Sequence, residues 1–564
     1  MKKVIFLIVN FLFLFNIFAQ TSLNSIEDQY YDFLSLQGAL ERPYLGYRSI
    51  ITSNWDIQNL EKSVWSEKFN RKEYIIYEDN NNSNFFHKGI DSSIKLQILD
   101  LDFYNSINTA SPYGFNDESL WQGKGYNTSL TAGIMGQAYG FRFIIKPRFN
   151  FMQNLPFEYI KPNYSDDIYE GKAKEFGDYS LPYIDAPQRF GKSAFASFSF
   201  NDTYICYQFY NFILGFGNTN IVLGPAYLNP IIHSNNAETY PKFDFGLNKT
   251  QIKIFSKLLG YLESHYWIGK LTESKYFDIY SDNNNNIISA FNVSYSPEIF
   301  PGLTLGYSRT MLSSATSINP YTLFKVLVPF MQKQAGYDES DQRASIYFDY
   351  LIPSGGIDLY LEWAKNDYNI GLANLIRYPF HTQAITTGFK KALNFSNNVS
   401  GELIFEISYL GSSMDYVFFY DWGGIGNSFY THHYIKQGYT NKGQLLGAAL
   451  GSGGNSQYLE FKLYYPKGTT SFYFTRNNPH LNYSYFMDKE DPKSSTPKND
   501  KKTRIRANLI FGLNSSILIK NNLITNIGIV LIDEHNPLNI NNKKNSDSVH
   551  RINFNLICGF NYVF

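Results

Sequence analysis

The pair His432-His433 is the part of this sequence that most directly suggests chemistry, because imidazoles are common metal ligands. In an extended segment, however, adjacent side chains point in opposite directions, so two neighbouring histidines rarely bind the same ion. No cysteine or suitably spaced histidine lies near the pair in the sequence to complete a coordination shell. We therefore expect no metal site and no cofactor.

A hydrolase would need a nucleophile beside a base, or two carboxylates that face each other. Ser428 lies shortly before His432, but the sequence lacks the GxSxG pattern that exposes a nucleophilic serine on a sharp turn. Paired carboxylates cannot be recognised from spacing when they lie on separate strands. The sequence therefore predicts a protein that is not an enzyme.

The composition indicates contact with lipid rather than with nucleic acid. Aromatic residues make up 18% of the 564 residues and charged residues 17%, and 49 basic residues balance 49 acidic ones. A nucleic-acid partner would favour a basic face, which this balance does not support. An excess of aromatic residues without long apolar runs is typical of strands that meet a bilayer through alternating side chains.

Alternation of apolar and polar side chains is the main structural signal. It runs through the final segment, RINFNLICGFNYVF, and recurs in IDLYLEW (357–363) and LEFKLYY (459–465), where Glu460 and Lys462 interrupt apolar positions. Successive side chains of a strand point to opposite faces, so each strand has one apolar face and one polar face. Within a bilayer, only helices and closed barrels satisfy every backbone group. The pattern predicts an all-β fold, a transmembrane antiparallel outer-membrane β-barrel.

The N-terminus indicates export. Lys2 and Lys3 precede a mostly apolar run that ends at the small residue Ala19, which is the pattern of a signal peptide over residues 1–19. Residues 20–90 contain helical spacing, for example in SIEDQYYDFLSLQGAL, and predict a small, partly helical periplasmic segment. Residues 91–564 are then the barrel, placed in the outer membrane of a Gram-negative bacterium.

The predicted connections alternate in length, as short periplasmic turns and long external loops do in such barrels. Counting back from a C-terminus taken as periplasmic, we predict long external loops over residues 313–341, 411–455, 487–502 and 533–550. Within the first of these loops, Asn319 can cap a helix whose first position is Pro320.

Three stretches of the chain resemble a known family. They are WQGKGYNTSLTAG from Trp121, LGPAYLNPIIHSNNAETYP from Leu223 and YTHHYIKQGYTNKGQLLGAALGSG from Tyr430. In this order and approximate spacing they resemble the Wzi-type capsule assembly proteins of Gram-negative outer membranes. The resemblance implies a barrel of about 18 strands. It also implies a small helical region on the periplasmic side, a lectin-like role in assembling or retaining capsular or extracellular polysaccharide, and no enzyme activity.

The resemblance also supplies candidate contacts, because aromatic rings can stack on sugar faces and amides can hydrogen-bond to hydroxyls. The candidate polysaccharide-binding residues are Trp121, Lys124, Ser234, Asn235, Asn236, His432, His433, Tyr434 and Tyr439. Each also has a structural interpretation: a folded-in external loop for 430–439, turn formation for 234–236, and a lumen or interfacial position for Trp121 and Lys124. We expect Gly443, Gly447 and Gly451 to permit tight backbone turns.

The expected partners are capsular or extracellular polysaccharide and outer-membrane lipid, with no nucleic acid, and we expect the barrel to be a monomer. The alternative to a polysaccharide-binding protein is a porin or uptake channel for small solutes. A glycan-modifying outer-membrane enzyme is the least favoured interpretation.

Overall fold

The structure of this chain is a computed structural model. It describes residues 25–52, 55–56, 64–65, 75–79, 90, 93–162, 173–178, 183–281, 283–328, 340–366, 373, 376–396, 398–413, 415, 429–432, 434–481, 505–520, 522–539 and 549–562. The predicted signal peptide, residues 1–19, lies outside the described residues.

Within the described residues, 18 antiparallel strands form a closed barrel, in which each strand pairs with its neighbours in the sequence and the last pairs with the first. The strands are β1 Ile94–Asn108, β2 Gly125–Ala138, β3 Phe141–Met152, β4 Phe195–Phe209, β5 Phe212–Asn218, β6 Lys242–Ile254, β7 Lys257–Thr272, β8 Asn285–Pro297, β9 Leu303–Ser314, β10 Ser340–Ile352, β11 Ile357–Asn366, β12 Gln383–Ser396, β13 Val399–Tyr409, β14 Asn455–Tyr465, β15 Gly468–Asn478, β16 Ala507–Lys520, β17 Leu523–His535 and β18 His550–Tyr562. The predicted fold class is confirmed.

Several short elements accompany the barrel. The short strand Ile75–Asp79 pairs with the start of β1, Tyr47–Arg48 pairs with Val222–Leu223, and Thr440–Asn441 pairs with Gln444–Leu445. The helices are α1 Ile26–Leu36, α2 Ala173–Phe176 and α3 Pro320–Phe324, with 3-10 turns at Ala315–Ser317, Lys325–Leu327 and Pro353–Gly355. Among the described residues, no helix combines the length and apolar character needed to cross a membrane.

The alternation of the sequence becomes the two faces of the wall. In β14, Glu460 is 4% exposed and faces the lumen, whereas its neighbour Leu459 is 44% exposed and faces outward. In β18, Ile552 and Phe554 are exposed on the outside while Asn553 is buried inside. Outward apolar side chains suit lipid, and the inward polar ones can bind segments that enter the lumen.

The connections are long at one end of the barrel and short at the other. The short connections have two to five residues, for example 466–467 and 298–302, and we call their side the turn end. The opposite side, the loop end, carries the long connections 109–124, 153–194, 219–241, 273–284, 315–339, 367–382, 410–454, 479–506 and 536–549. The sidedness of these ends in the membrane stays a prediction.

The connection between β9 and β10 contains the predicted helix start. The backbone N–H of Thr322 donates to the side-chain oxygen of Asn319 at 3.0 Å, and Pro320 occupies the first turn of α3. Arg309 of β9 donates to the carbonyl oxygen of Val328 at 2.8 Å, so the segment after α3 is tied to the mouth of the barrel. The prediction that Asn319 caps this helix is confirmed.

We expected residues 20–90 to form a small appendage before the barrel. Within it, residues 25–52 enter the lumen at the turn end, whereas Ile75–Asp79 pairs with β1 in the barrel wall. The ring of Phe33 in α1 stacks on Tyr464 of β14, with ring centroids 4.4 Å apart. The Arg42 guanidinium contacts Asp349 of β10 at 3.1 Å and Asp358 of β11 at 2.6 Å. The inner wall buries the apolar face of α1. It also supplies the carboxylates that neutralise the charge of Arg42.

Two buried glutamates of the wall hold the connection between β5 and β6 inside the lumen. Glu406 of β13 accepts hydrogen bonds from the backbone N–H groups of residues 227–229, at 2.7 to 3.1 Å. Glu362 of β11 accepts one from the backbone N–H of Ile231 at 2.9 Å. A carboxylate can accept several such bonds at once, so each glutamate satisfies buried amides that have no strand partner.

A third glutamate binds the N-terminal segment in the same way. Glu263 of β7 accepts hydrogen bonds from the backbone N–H groups of residues 45–47. These residues lead into the two-stranded pairing of Tyr47–Arg48 with Val222–Leu223. The N-terminal segment and the β5–β6 connection are therefore joined to each other and to the wall.

We predict that Glu406→Ala loosens the lumen, because it leaves three buried N–H groups without an acceptor. The free energy of unfolding should fall by about 3 kcal/mol, and residues 227–231 should become accessible to protease. The change in electrophoretic mobility between folded and heat-denatured barrel measures stability, and limited proteolysis measures the accessibility of residues 227–231. Glu298→Ala, an exposed glutamate at the turn end, is the matched control. Equal behaviour of the two variants would contradict the role of Glu406.

Candidate functional site

The second and third of the stretches singled out in the sequence meet inside the barrel. The Ser234 hydroxyl donates to the carbonyl oxygen of Gly447 at 2.7 Å, and its backbone N–H donates to Leu446 at 2.8 Å. The Asn236 amide donates to the carbonyl oxygen of Leu445 at 3.0 Å. These polar groups bind the chain itself, and Ser234 is buried.

Glu118, three residues before the first stretch begins at Trp121, contacts both the second and the third stretch. The backbone N–H of Glu118 donates to the carbonyl oxygen of Asn235 at 2.9 Å. The Gln444 side chain donates to the carbonyl oxygen of Glu118 at 2.8 Å. Asn235 is itself buried. The described residues of the connections 109–124, 219–241 and 410–454 thus form one packed unit in the loop end of the lumen.

Two of the candidate aromatic residues are buried in this unit. Tyr439 is 0% exposed and lies between the ring of Tyr430, with centroids 5.8 Å apart, and the guanidinium of Arg343, 4.5 Å from its ring centroid. His432 is also buried, and its Nδ1 accepts the backbone N–H of Ile435 at 3.1 Å. A ligand that approaches from solvent cannot reach these rings without displacing their neighbours.

The three glycines lie where the third stretch turns. A Cβ at Gly447 would lie 2.2 Å from the carbonyl oxygen of Ile231 and 2.4 Å from the hydroxyl of Tyr430, so no larger residue fits there. Gly443 and Gly451 have φ values of +84° and +87°, in the region that favours glycine. The close approach at Gly447 allows the third stretch to pack against the second.

Trp121 and Lys124 lie in the connection between β1 and β2. The Trp121 ring packs against Phe190, with centroids 5.0 Å apart, and is partly exposed. Lys124 is also partly exposed, and its carbonyl oxygen accepts the N–H of Leu155 at 2.8 Å. His433 lies outside the described residues.

Tyr434 differs from the buried candidates, because it is 51% exposed and lines an open depression at the loop end. We call this depression the loop-end groove. Its volume is about 300 Å³. The residues that line it include Glu273, Tyr280, Asn283, Asn286, Tyr434 and Lys436. Tyr280 is 49% exposed, so the groove presents two tyrosine rings beside amide and charged groups.

The polar groups of the groove are held in place by their neighbours. The Asn283 amide nitrogen donates to Asp278 at 2.9 Å, and its Oδ1 has no hydrogen-bond partner among the described residues. Asn286 donates to Gln437 at 2.6 Å, which joins β8 to the segment that carries Tyr434.

Asp185 fixes the neighbouring connection. Its carboxylate accepts the hydroxyl hydrogen of Ser274 at 2.6 Å, next to Glu273 of the groove. Burial raises the pKa of Asp185 to about 6, and the hydrogen bonds from Ser274 oppose that rise. The connections 183–191 and 273–284 are therefore tied together beneath the groove.

Sequence reasoning missed Tyr280, Asn283, Asn286 and Lys436. A signal was present in the segment FDIYSDNNNNI (277–287), where an aromatic residue precedes a run of asparagines between β7 and β8. That composition is also common in plain turns, so it does not distinguish a binding groove from a solvated loop.

The described lumen segments pack around an apolar core, and a cavity of about 310 Å³ lies beside them, lined by residues that include Tyr227, Glu460 and Lys462. Trp267, Ile231, Ile232, Tyr430 and Leu446 belong to one buried cluster inside the barrel. The fold and the groove together define a class: a β-barrel of the outer membrane whose lumen is occupied by segments of its own chain, with an aromatic, amide-lined depression at one mouth.

Comparison with known proteins identifies the family. Residues 115–515 match the sequence model of the family described as capsule assembly protein Wzi, and the chain belongs to that family. No curated protein matches the chain significantly. Family membership places the protein in the outer membrane of a Gram-negative bacterium.

A solved structure shows the same fold. The chain is similar to Wzi of Escherichia coli, described as an outer membrane protein involved in group 1 capsule assembly and as a carbohydrate-binding β-barrel. The TM-score is 0.52 and the identity 15%, over 82% of this chain and 84% of that one. The chain also aligns with the outer membrane protein OprD of Pseudomonas aeruginosa, with a TM-score of 0.36 and 9% identity over 87% of this chain and 98% of that one.

We predict that Gly447→Ala disrupts the packed unit at the loop end, because the added methyl group meets a backbone carbonyl at 2.2 Å. The free energy of unfolding should fall by about 2 kcal/mol. It is measured by urea titration, in which the folded and unfolded barrels are separated by their different mobilities on an unheated SDS gel. Gly355→Ala at the turn end is the control, since its Cβ would find no atom closer than 3.6 Å. A Gly447→Ala variant as stable as Gly355→Ala would contradict the close packing.

Proposed function

We propose that this protein is a lectin-like outer-membrane protein that helps to assemble or retain capsular or extracellular polysaccharide at the cell surface. In this proposal the loop end faces the exterior, the barrel acts as a monomer in lipid, and the loop-end groove binds the glycan. The observation that carries the proposal is the pair of half-exposed rings, Tyr280 and Tyr434, beside the amide of Asn283.

The chemistry of the groove suits a polymer rich in hydroxyl groups. Aromatic rings present flat apolar faces, and such faces complement the C–H faces of sugar rings. The amide side chains of Asn283 and Asn286 line the groove, while Lys436 adds a positive charge that would favour an acidic sugar. A groove open to solvent accepts an internal segment of a long chain, which a closed pocket cannot do.

The segments inside the lumen argue against a porin or uptake channel. The apolar cluster around Trp267 and Tyr430 and the segments held by Glu362 and Glu406 obstruct the lumen at the loop end of the described part of the chain. The same glutamates weaken the case for a glycan-modifying enzyme. They accept backbone N–H groups, so these buried carboxylates are engaged in structure rather than free to act on a glycosidic bond.

We predict that Tyr434→Ala and Tyr280→Ala each weaken binding of isolated surface polysaccharide by about tenfold, because each removes one stacking face. Biolayer interferometry with purified protein measures the affinity, and complementation of a deletion strain measures cell-bound against shed polysaccharide. Tyr210→Ala is the matched control, since Tyr210 is an equally exposed tyrosine at the turn end. Unchanged affinity and retention in both groove variants would exclude this groove as the binding site.

We also predict that the wild-type protein carries little current in a planar lipid bilayer, because segments of its own chain obstruct the lumen. A general porin reconstituted at the same protein concentration is the positive control. Large, steady conductance steps from the wild-type protein would support the channel interpretation and contradict the occluded lumen.

A further inference from the structure

Three side chains at the junction of β17 and β18 converge on the outer surface of the loop end. Asp533 and His535 lie two residues apart on β17, and His550 pairs directly with His535 across the antiparallel ladder. They share the outward face with Ile529 and Ile552, which are both exposed. We call this group the rim cluster.

The contacts within the rim cluster are short. Asp533 Oδ1 lies 3.0 Å from His550 Nδ1, and Asp533 Oδ2 lies 3.1 Å from His535 Nε2. The two imidazole rings have centroids 4.1 Å apart. One ligand atom from each residue lies within 4.8 Å of the others, so small side-chain rotations bring all three to one point.

Among the described residues, the charged neighbours on these two strands face away from the cluster. Glu534 and Arg551 alternate with the cluster residues and face the lumen, where Arg551 Nε donates to Glu534 Oε2 at 2.8 Å. The Nε2 atom of His535 lies 3.1 Å from Asp533 Oδ2 but makes no hydrogen bond of good geometry to any described residue. In the neutral imidazole this nitrogen can bind a cation together with the carboxylate.

The ligand set has the chemistry of a divalent transition-metal site. Neutral imidazole nitrogens and a carboxylate oxygen are ordinary ligands of Zn²⁺, and three protein ligands leave further coordination positions open to solvent. Positions i and i+2 of one strand, together with the paired residue of the next strand, lie on one face of a sheet.

We propose that Asp533, His535 and His550 bind one divalent transition-metal ion at the outer rim of the barrel. The bound ion cross-links the end of β17 to the start of β18, at the base of the connection 536–549. It thereby fixes a hairpin of the loop end independently of the loop-end groove and of glycan binding.

The test uses the full-length protein, purified in detergent without a polyhistidine tag. Zn²⁺ is titrated by calorimetry, and Co²⁺ is titrated by visible absorption, which reports the coordination geometry. The wild-type protein should bind one equivalent of each metal. His535→Ala and Asp533→Asn should weaken binding at least tenfold. His433→Ala removes an imidazole elsewhere in the sequence and should bind as the wild type does.

Two further measurements separate a metal site from a structural role. Zn²⁺ should raise the temperature at which the heat-modified band appears in the wild type and leave it unchanged in Asp533→Asn, whose side chain keeps its size. His550→Cys replaces one metal ligand by another. This variant should still bind the metal, and its Co²⁺ complex should show a thiolate charge-transfer band. Binding by the wild type that is no stronger than in His535→Ala, or a His550→Cys complex without that band, would overturn the proposal.

Discussion

The structure depends on finding a partner for every backbone N–H and C=O group that is removed from water. In the wall, eighteen strands meet this requirement because the barrel closes where β18 pairs with β1. The short strand Ile75–Asp79 pairs with the first residues of β1. In the lumen, the segments that enter have no strand to pair with for most of their length. Glu263, Glu362 and Glu406 replace that partner, because one carboxylate accepts several N–H groups.

These hydrogen bonds explain how segments of the chain come to occupy the lumen. The segments fixed by the glutamates bring apolar residues such as Ile231 and Ile232 against Trp267 and Tyr430, in one buried apolar cluster. The stretches that resemble the Wzi family most closely contribute mainly to this interior. Ser234, Tyr439 and Gly447 are engaged with the chain itself, so the surface open to a glycan consists of the residues that this packing presents at the mouth, among them Tyr434.

The candidate site shows where sequence reasoning succeeds and where it fails. Tyr434 was singled out from its stretch and is exposed in the groove, whereas Tyr439, five residues later, is buried against Arg343. Both are aromatic residues in the same connection, and only packing distinguishes them. The rim cluster was missed for a related reason. His535 and His550 flank a long connection, and the ladder of β17 and β18 alone makes them neighbours.

The sequence by itself determined the wall. Period-two alternation is a local property, so the faces and ends of each strand can be predicted without reference to distant residues. Because strands that cross a bilayer must satisfy every backbone group, they predict a closed antiparallel barrel. The capping of α3 by Asn319 is equally local. Only the tertiary structure decided what fills the lumen. An inward polar residue has the same pattern whether it faces water or binds a segment. The contacts that settle the matter, such as Arg42 with Asp349 and Asp358 or Ser234 with Gly447, join residues hundreds of positions apart.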